Sequence, residues 1–409
     1  MKILIVGAGA AGMMAAATIV ETNCDAEVCI VEKNAVLGRK VIISGGGRCN
    51  LTTAENDIPE LMKAYPRGSR WLRFVMHEFS PSAVYEWFEK HGIPLKTEGR
   101  KIFPKSNQGT DVTGMFQKIF EAQNVEVLLK TAVVSIQKAD SGFKATFDGD
   151  KETFCDKLIL TTGGHAYRHT GSTGDGYAFA QALGHSINTL AATLNSFSVS
   201  EDWIADLAGV SIANAKFKVL GKEISGAFLF THKGISGPGV FALSSLVAFE
   251  ECSPNNPLPL SIDFLPELDY QKLTDKIQGN ISENPKKAIS GIVHGYLPKS
   301  VLAVMFKILG IDAAKSAAEV AKKDVTRLVE ALKNFKMTLI ERSAGAEIVT
   351  AGGVDLNEVD QKTMESKICP GLYFGGELLD VDGFTGGYNL QIAWATGRAA
   401  GLSALGEVV

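Results

Sequence analysis

Residues 2–12 read Lys2-Ile3-Leu4-Ile5-Val6-Gly7-Ala8-Gly9-Ala10-Ala11-Gly12, and an Ala- and Met-rich run continues to Val20. A short apolar stretch ending in glycine is the pattern of a buried parallel strand. The run after it suits a helix, and Glu27 to Val31 supplies a second strand, giving a strand–helix–strand unit. Each glycine has its own purpose. Gly7 permits the tight turn, Gly9 lets backbone approach a pyrophosphate, and Gly12 lets helix and strand pack closely. The helix N-terminus, with Ala10 and Ala11 in its first turn, then offers free N–H groups to phosphate. Glu32 follows the third glycine by twenty residues, where an acid grips ribose hydroxyls and disfavours a 2′-phosphate. The same opening has the single Lys and apolar run of a secretory leader, but glycines at nucleotide-turn spacing argue against that reading.

The chain has 409 residues, enough for two or three domains, with 45% hydrophobic and 21% charged residues. Its formal net charge is −4, and Lys and Arg show no basic run with interleaved aromatics. The expectation is therefore a cytoplasmic protein with a small-molecule substrate and neither nucleic acid nor membrane as partner. No stretch of 18 apolar residues is present, which excludes a transmembrane helix. Cys24, Cys29, Cys49, Cys155, Cys252 and Cys369 form no CxxC pair and have no His in ligand spacing, so neither a metal site nor a disulfide framework is expected.

Further on, residues 37–52 are glycine-rich and aperiodic, and 68–91 reads as two helices broken at Pro81. A helix is expected over 111–122 and a strand over 125–129. A β-meander over 133–138, 143–147 and 152–160 follows, with turns at Ser141-Gly142 and Gly149-Asp150. From about 190 the glycine signals stop: a β-rich stretch (210–230, 258–264) precedes helices at 270–283, 299–309 and 322–334. They resume at Ala351-Gly352-Gly353. The predicted fold is α/β: a Rossmann-like dinucleotide domain with a β-meander (1–189 and 346–409), interrupted by a mixed β-barrel/helical domain (190–345).

The remaining glycine motifs choose the dinucleotide. Gly38-Arg39-Lys40 and Ser44-Gly45-Gly46-Gly47-Arg48-Cys49-Asn50 place glycines and cations where an extended diphosphate–ribitol chain would run. Leu372-Tyr373-Phe374-Gly375-Gly376-Glu377 is another strand ending in glycines and an acid. Gly386-Gly387-Tyr388-Asn389-Leu390 opens an Ala-rich helix whose N-terminus suits the flavin edge that becomes anionic on reduction. NAD has no use for such a helix. The reading is noncovalent FAD, with NAD(P)H as a transient reductant at most, since no second GxGxxG follows any other strand.

The fingerprint, GRKVIISGGGRCNLT (38–52), FLFTHKGISGPGV (228–240) and GGELLDVDGFTGGYNLQIAWATG (375–397) together resemble the aminoacetone oxidase/BaiN-like family of FAD-binding proteins. These are NAD(P)/FAD-dependent oxidoreductases of the two-dinucleotide-binding superfamily, and the resemblance spans the chain. It implies FAD contacts at Gly7 to Gly12, Glu32, Lys33, Arg39, Lys40, Ser44 to Gly46, Arg48 and Asn50. It further implies an adenine-reading backbone at Val133 and a turn at Thr162-Gly163. Gly376 and Glu377 fall near the ribitol, where related proteins carry Asp, and Asn389 and Leu390 at the isoalloxazine.

A weaker similarity links residues 162–176 to the turn of fumarate-reductase-like flavoenzymes, although Thr173 or Asp175 acting as helix N-cap would explain the same residues. His165, Tyr167, Arg168 and His169 follow that turn as candidates for proton donation or carboxylate binding, and His232 is a candidate in the inserted domain. Cys49 lacks the partner a disulfide-reductase mechanism needs and reads as a packing residue. Three functions stay open: oxidation of a small amine, reduction of an unsaturated substrate with NAD(P)H, and FAD-dependent RNA modification or partner binding.

Overall fold

In the computed structural model, which describes residues 1–23, 25–343, 345 and 347–407, strand Lys2–Val6 occupies the centre of a five-stranded parallel sheet. The order is Leu372–Phe374, Lys157–Leu160, Lys2–Val6, Glu27–Glu32, Glu126–Leu129. Ile3, Leu4, Ile5, Leu158 and Ile159 are fully buried, which is why these strands read as apolar runs rather than alternating ones. The chain forms two units: Met1–Ala192 with Ile348–Val409, and Thr193–Glu347. Cys24 and Ala346, the latter the expected start of the second nucleotide-domain segment, lie outside the described residues.

Within the first unit, helix Ala10–Thr22 packs on the C-terminal helix Tyr388–Ala404. A Cβ built on Gly397 would stand 2.3 Å from the Ala11 carbonyl oxygen, and one on Gly401 2.7 Å from that of Ala15. The two backbones touch, and only an Ala/Gly surface on each helix permits it. On the C-terminal helix, Trp394 is fully buried, donates Nε1–H to Leu51 O at 2.9 Å and packs against Phe88 and Phe116. These rings belong to helices Pro81–Lys90 and Gly109–Ala122.

The structure corrects three readings of local sequence. Residues 152–160 are not one strand: Glu152–Cys155 completes the antiparallel meander with Val133–Lys138 and Phe143–Phe147, whereas Lys157–Leu160 enters the parallel sheet. The change of sheet occurs at Asp156, whose amide donates to Lys2 O at 2.9 Å and whose carboxylate accepts the Lys2 amide at 2.6 Å. The glycine-rich segment contains a short helix, Arg39–Ile43. In the second unit the helices do not end the β-rich part but interrupt it.

That second unit is a closed barrel, ordered Phe197–Val199, Gly234–Ser236, Lys222–Phe230, Ser211–Val219, Leu258–Asp263, Phe335–Arg342. The last strand, which the sequence reading did not recognise, pairs with both Leu258–Asp263 and Phe197–Val199 and so closes the ring. Helices Tyr270–Glu283, Ile289–Ile292, Lys299–Leu309 and Lys322–Lys333 form a long excursion between two neighbouring barrel strands. No described helix is long and apolar enough to cross a membrane.

The contact between first and last helices yields a prediction. Gly397→Ala puts a methyl into backbone and should destabilise the first unit by about 1–3 kcal/mol, the usual scale of overpacking. Urea unfolding followed by tryptophan fluorescence would check it; an unchanged midpoint would mean that the two helices stand further apart than described.

Candidate functional site

In a parallel sheet all carboxyl ends lie on one edge, and ligands bind in the crevice beyond it. Here that edge carries Gly7, Glu32, Thr161 and Gly375. The ladder continues one residue past the strands, through Gly7 N to Val31 O (2.8 Å), Thr161 N to Val6 O (2.9 Å) and Gly375 N to Leu160 O (3.0 Å). Gly7 has φ +100°, and a Cβ there would lie 2.6 Å from Thr161 O; one on Gly12 would lie 2.0 Å from Gly7 O. Both glycines are required by the protein's own packing. Gly9 is different: its nearest neighbour would be Thr161 O at 3.9 Å, so space opens in front of it.

Behind Gly9 the helix starts without a side-chain cap, and its first internal bond is Met13 N to Gly9 O at 2.9 Å. Ala10, Ala11 and Gly12 are buried, and among the described residues their amides find no acceptor. Buried donors at a helix N-terminus call for an anion. Asn50 Oδ1 and Thr162 Oγ1 are also buried without a partner among the described residues. These orphan groups and the open face at Gly9 fit a dinucleotide diphosphate.

Glu32 is held in place before any ribose arrives. It accepts Ala8 N at 2.9 Å through one oxygen, and Asn34 N at 2.8 Å and Asn34 Nδ2 at 2.7 Å through the other. A carboxylate has about four lone-pair sites, so acceptor capacity remains. Asn34 also donates to Thr170 O at 2.9 Å, joining the acid to the 163–176 loop; its only signal in sequence is a polar residue two after the acid. Val133 opens the meander just after Thr131, whose amide donates to Glu32 O at 3.1 Å.

The cations of this region are mostly engaged by the protein itself. Lys33 binds Thr173 and Asp175, Lys40 pairs with Glu377 at 2.8 Å, and Arg48 pairs with Glu98 at 2.9 Å while lying 3.9 Å over the Phe103 ring. Arg39 is exposed and, among the described residues, reaches only the neutral Asn34 Oδ1, at 3.4 Å. The Lys33 contacts correct the capping reading: helix Asp175–Ala182 is capped by Gly174 at φ +85° with no side-chain bond, because Thr173 and Asp175 turn to the ammonium. Burial pushes the Asp175 carboxyl up, but hydrogen bonds from Lys33 and Thr173 and the nearby Lys33 charge outweigh it and hold the group below its usual range. Ser44 is likewise committed internally, Oγ–H to Val41 O at 2.8 Å, whereas Gly45 and Gly46 are exposed at φ +59° and +72°.

The C-terminal segment contributes the other half of the edge. Gly376 N donates to Thr396 Oγ1 at 2.9 Å, and Glu377 accepts Thr350 N at 2.9 Å besides holding Lys40. The loop after it is anchored by Arg67, whose guanidinium grips the fully buried Asp382 through two bonds of 2.5 Å. The Asn389 side chain folds back on Gly383, with Nδ2 to O at 2.7 Å and Oδ1 accepting N at 2.9 Å. What Tyr388, Asn389 and Leu390 therefore present is backbone: three half-exposed amides without acceptors among the described residues, ahead of Gln391 N to Gly387 O.

Among the candidate reactive residues, His165 is the best positioned. Its amide donates to Thr350 Oγ1 at 2.7 Å, its Nδ1 is 3.4 Å from Arg168 Nη2, and it follows Gly163 (φ +75°) and Gly164. Tyr167 sits at φ +57° with its ring on His169, and Arg168 and His169 are exposed. His232 lies in the second unit, exposed in the tight turn closed by Thr231 N to Gly234 O at 2.8 Å. Burial pushes the Cys49 thiol up to about 12, with a Ser44 hydrogen bond offsetting part of it, so this group stays protonated and packs rather than reacts.

Comparison with known proteins adds the family. The HI0933-like protein Rossmann domain matches residues 1–403. The chain is 32% identical over 409 residues to a 3-dehydro-bile acid delta(4,6)-reductase of Clostridium scindens, with 98% of each chain covered. It is 31% identical over 403 residues to the ribosomal RNA dihydrouridine synthase of Escherichia coli, covering 97% of this chain and 96% of that one. The solved 3-ketosteroid delta1-dehydrogenase of Sterolibacterium denitrificans superposes with a TM-score of 0.51 at 14% identity, covering 99% of both chains, a likeness of fold.

The contrast among the glycines generates a test. Gly9 has φ −75°, which a branched residue tolerates, so Gly9→Val should leave the apoprotein's thermal midpoint nearly unchanged while abolishing FAD retention. Gly12→Ala should instead lower the midpoint outright. Equal flavin content in wild type and Gly9→Val after desalting would refute the assignment of the open face.

Proposed function

Because the chain belongs to the HI0933-like family of Rossmann-fold, FAD-dependent oxidoreductases, we propose that it reduces a carbon–carbon double bond conjugated to a carbonyl. The observation that carries this reading is the whole-length match to two relatives with unlike substrates and one shared chemistry. A delta(4,6)-reductase of a 3-dehydro bile acid and a dihydrouridine synthase each saturate a ring alkene in conjugation with C=O. What the two have in common is the reaction, and it is the reaction that we carry to this chain.

Reduced FAD supplies the hydride equivalent for such a step. The protein's part is to bind, orient and protonate. Ala10, Ala11 and Gly12 amides would hold the diphosphate, Glu32 the ribose, and Asn50 and Thr162 the chain between. The amides of Tyr388 to Leu390 would face the edge of the ring that turns anionic. The proton for the second carbon we assign to His165. Amine oxidation, which the resemblance to aminoacetone oxidase implied, would run electrons the other way, from substrate into flavin.

Direction of electron flow is therefore the test. Photoreduced protein, mixed without oxygen with a 3-oxo-4-ene steroid or with uridine-containing RNA, should regain its oxidised flavin absorbance with at least one of them; aminoacetone should not bleach the oxidised protein. Bleaching by the amine together with no reoxidation by either alkene would overturn the proposal. NADPH should reduce the flavin with half-saturation well above the micromolar end of common KM values, since no second glycine fingerprint forms a nicotinamide site.

A further inference from the structure

A run of stacked rings crosses the first unit. Trp394 stacks on Phe116 with centroids 5.9 Å apart and planes at 18°, Phe116 on Trp87 at 5.5 Å and 27°, and Trp87 on His91 at 4.0 Å and 30°. Phe88 meets Trp394, Phe116 and Trp87 edge-on instead, at 67°, 84° and 82°, which is the herringbone of an ordinary core. The barrel is of that ordinary kind. Among its described residues Phe228 stacks on Phe264, but the contacts onward through Phe335 to Trp203 are tilted and then edge-on.

The run leads from the cofactor edge to the surface. Trp394 follows Tyr388 by six residues in the C-terminal helix, about 9 Å along its axis. Its indole N–H is held by Leu51 O at 2.9 Å, one residue after Asn50. A Cβ built on Gly387 would stand 2.3 Å from Thr52 O, so this segment and the N-terminus of the helix are in direct contact. At the other end Trp87 is half-buried, and its indole N–H goes to Glu21 Oε2 at 3.3 Å. The second Glu21 oxygen lies 2.6 Å from His91 Nε2, so the two outermost rings share one carboxylate.

The two indoles differ in what receives their proton. An indole N–H only donates. Leu51 O is an amide carbonyl and no base, whereas Glu21 is a carboxylate. A Trp394 that has lost an electron keeps its proton and remains a strong oxidant. A Trp87 that has lost one passes its proton to Glu21 and is left a neutral radical, so the vacancy settles there. Phe116, harder to oxidise than indole, bridges the two without being oxidised. We infer that Trp394 and Trp87 form a path by which bound FAD, excited by light, draws one electron from the surface of the protein. This activity is separate from alkene reduction and needs only the cofactor. Excited, oxidised flavin gains the electron that Trp394 loses, Trp394 recovers one from Trp87 across Phe116, and the Trp87 N–H proton moves to Glu21. A thiol in solution then returns a hydrogen atom to Trp87 and ends as disulfide, while Glu21 releases its proton to water. The flavin is left with one added electron.

The test is transient absorption of the FAD-loaded, full-length protein after a blue flash, without oxygen or added donor. Wild type should show a neutral tryptophan radical that outlives the excited flavin. Trp87→Phe, which keeps a ring in the stack, should lose that long-lived radical and return the electron from the flavin to Trp394. Glu21→Gln should give the spectrally distinct tryptophan radical cation in its place, because an amide accepts the hydrogen bond but not the proton. Trp203→Phe, in the barrel, should behave as wild type does. Under steady blue light with glutathione as the thiol, wild type should bleach and Trp87→Phe should bleach far more slowly. Flavin content after desalting and the thermal midpoint report that each variant is folded and loaded. The inference is overturned if wild type forms no tryptophan radical, if Trp87→Phe retains it, or if Trp203→Phe loses it to the same extent.

Discussion

Backbone touching backbone between the first and last helices is the contact on which the nucleotide unit depends. The residues that surround the cofactor edge come from both ends of the chain, and more than 150 residues of a second unit intervene. Gly397 on Ala11 and Gly401 on Ala15 lock the two ends into a single body, and strand Leu372–Phe374 completes the sheet beside Lys157–Leu160. Such contacts have no side chain to adapt, so their geometry is fixed tightly. Two helix N-termini are thereby held against one sheet edge, one opening at Gly9 and the other at Gly387.

The resulting site is built largely from main chain. Side chains that look like ligands in the sequence turn out to hold the loops that carry the amides. Glu32 fixes Ala8, Asn389 fixes Gly383, and Arg67 with buried Asp382 fixes the loop between Glu377 and Gly387. Lys33, Lys40 and Arg48 tie separate segments together through carboxylates. Partial charges on preorganised amides need no counterion and lose no rotamer freedom on binding.

The fold was legible where one residue type had one structural use. Gly7, Gly9 and Gly12 announced the turn, the apolar runs announced the parallel strands, and Pro81 marked the start of its helix. Legibility failed where the decisive partner was remote. Phe335–Arg342 alternates like any half-buried strand, but nothing local says that it closes a barrel begun at Phe197. Residues 152–160 are uniformly strand-like, and only the hydrogen bonds between Asp156 and Lys2 divide them between two sheets. Thr173 and Asp175 have the composition of helix caps, and a lysine 140 residues earlier in the chain diverts them. Thr350 carried no signal at all, since its importance lies in receiving the His165 amide.

Charge pairing follows one logic in both units. In the nucleotide unit several matched cations join segments remote in sequence: Arg67 to Asp382 in the interior, Lys40 to Glu377 at the edge, Arg48 to Glu98 on the surface. In the barrel Lys216 and Lys218 share Glu223, and Lys333 sits on Asp263. Exposed pairs of this kind are worth little in stability, so their frequency reflects where acids and bases are placed rather than a drive to pair. Exposed lysines without an ion-pair partner among the described residues occur in both units, Lys101, Lys105 and Lys118 in the first and Lys286, Lys287 and Lys315 in the second. A whole-chain net charge therefore says little about any one surface, because electrostatic attraction is decided within a Debye length of it.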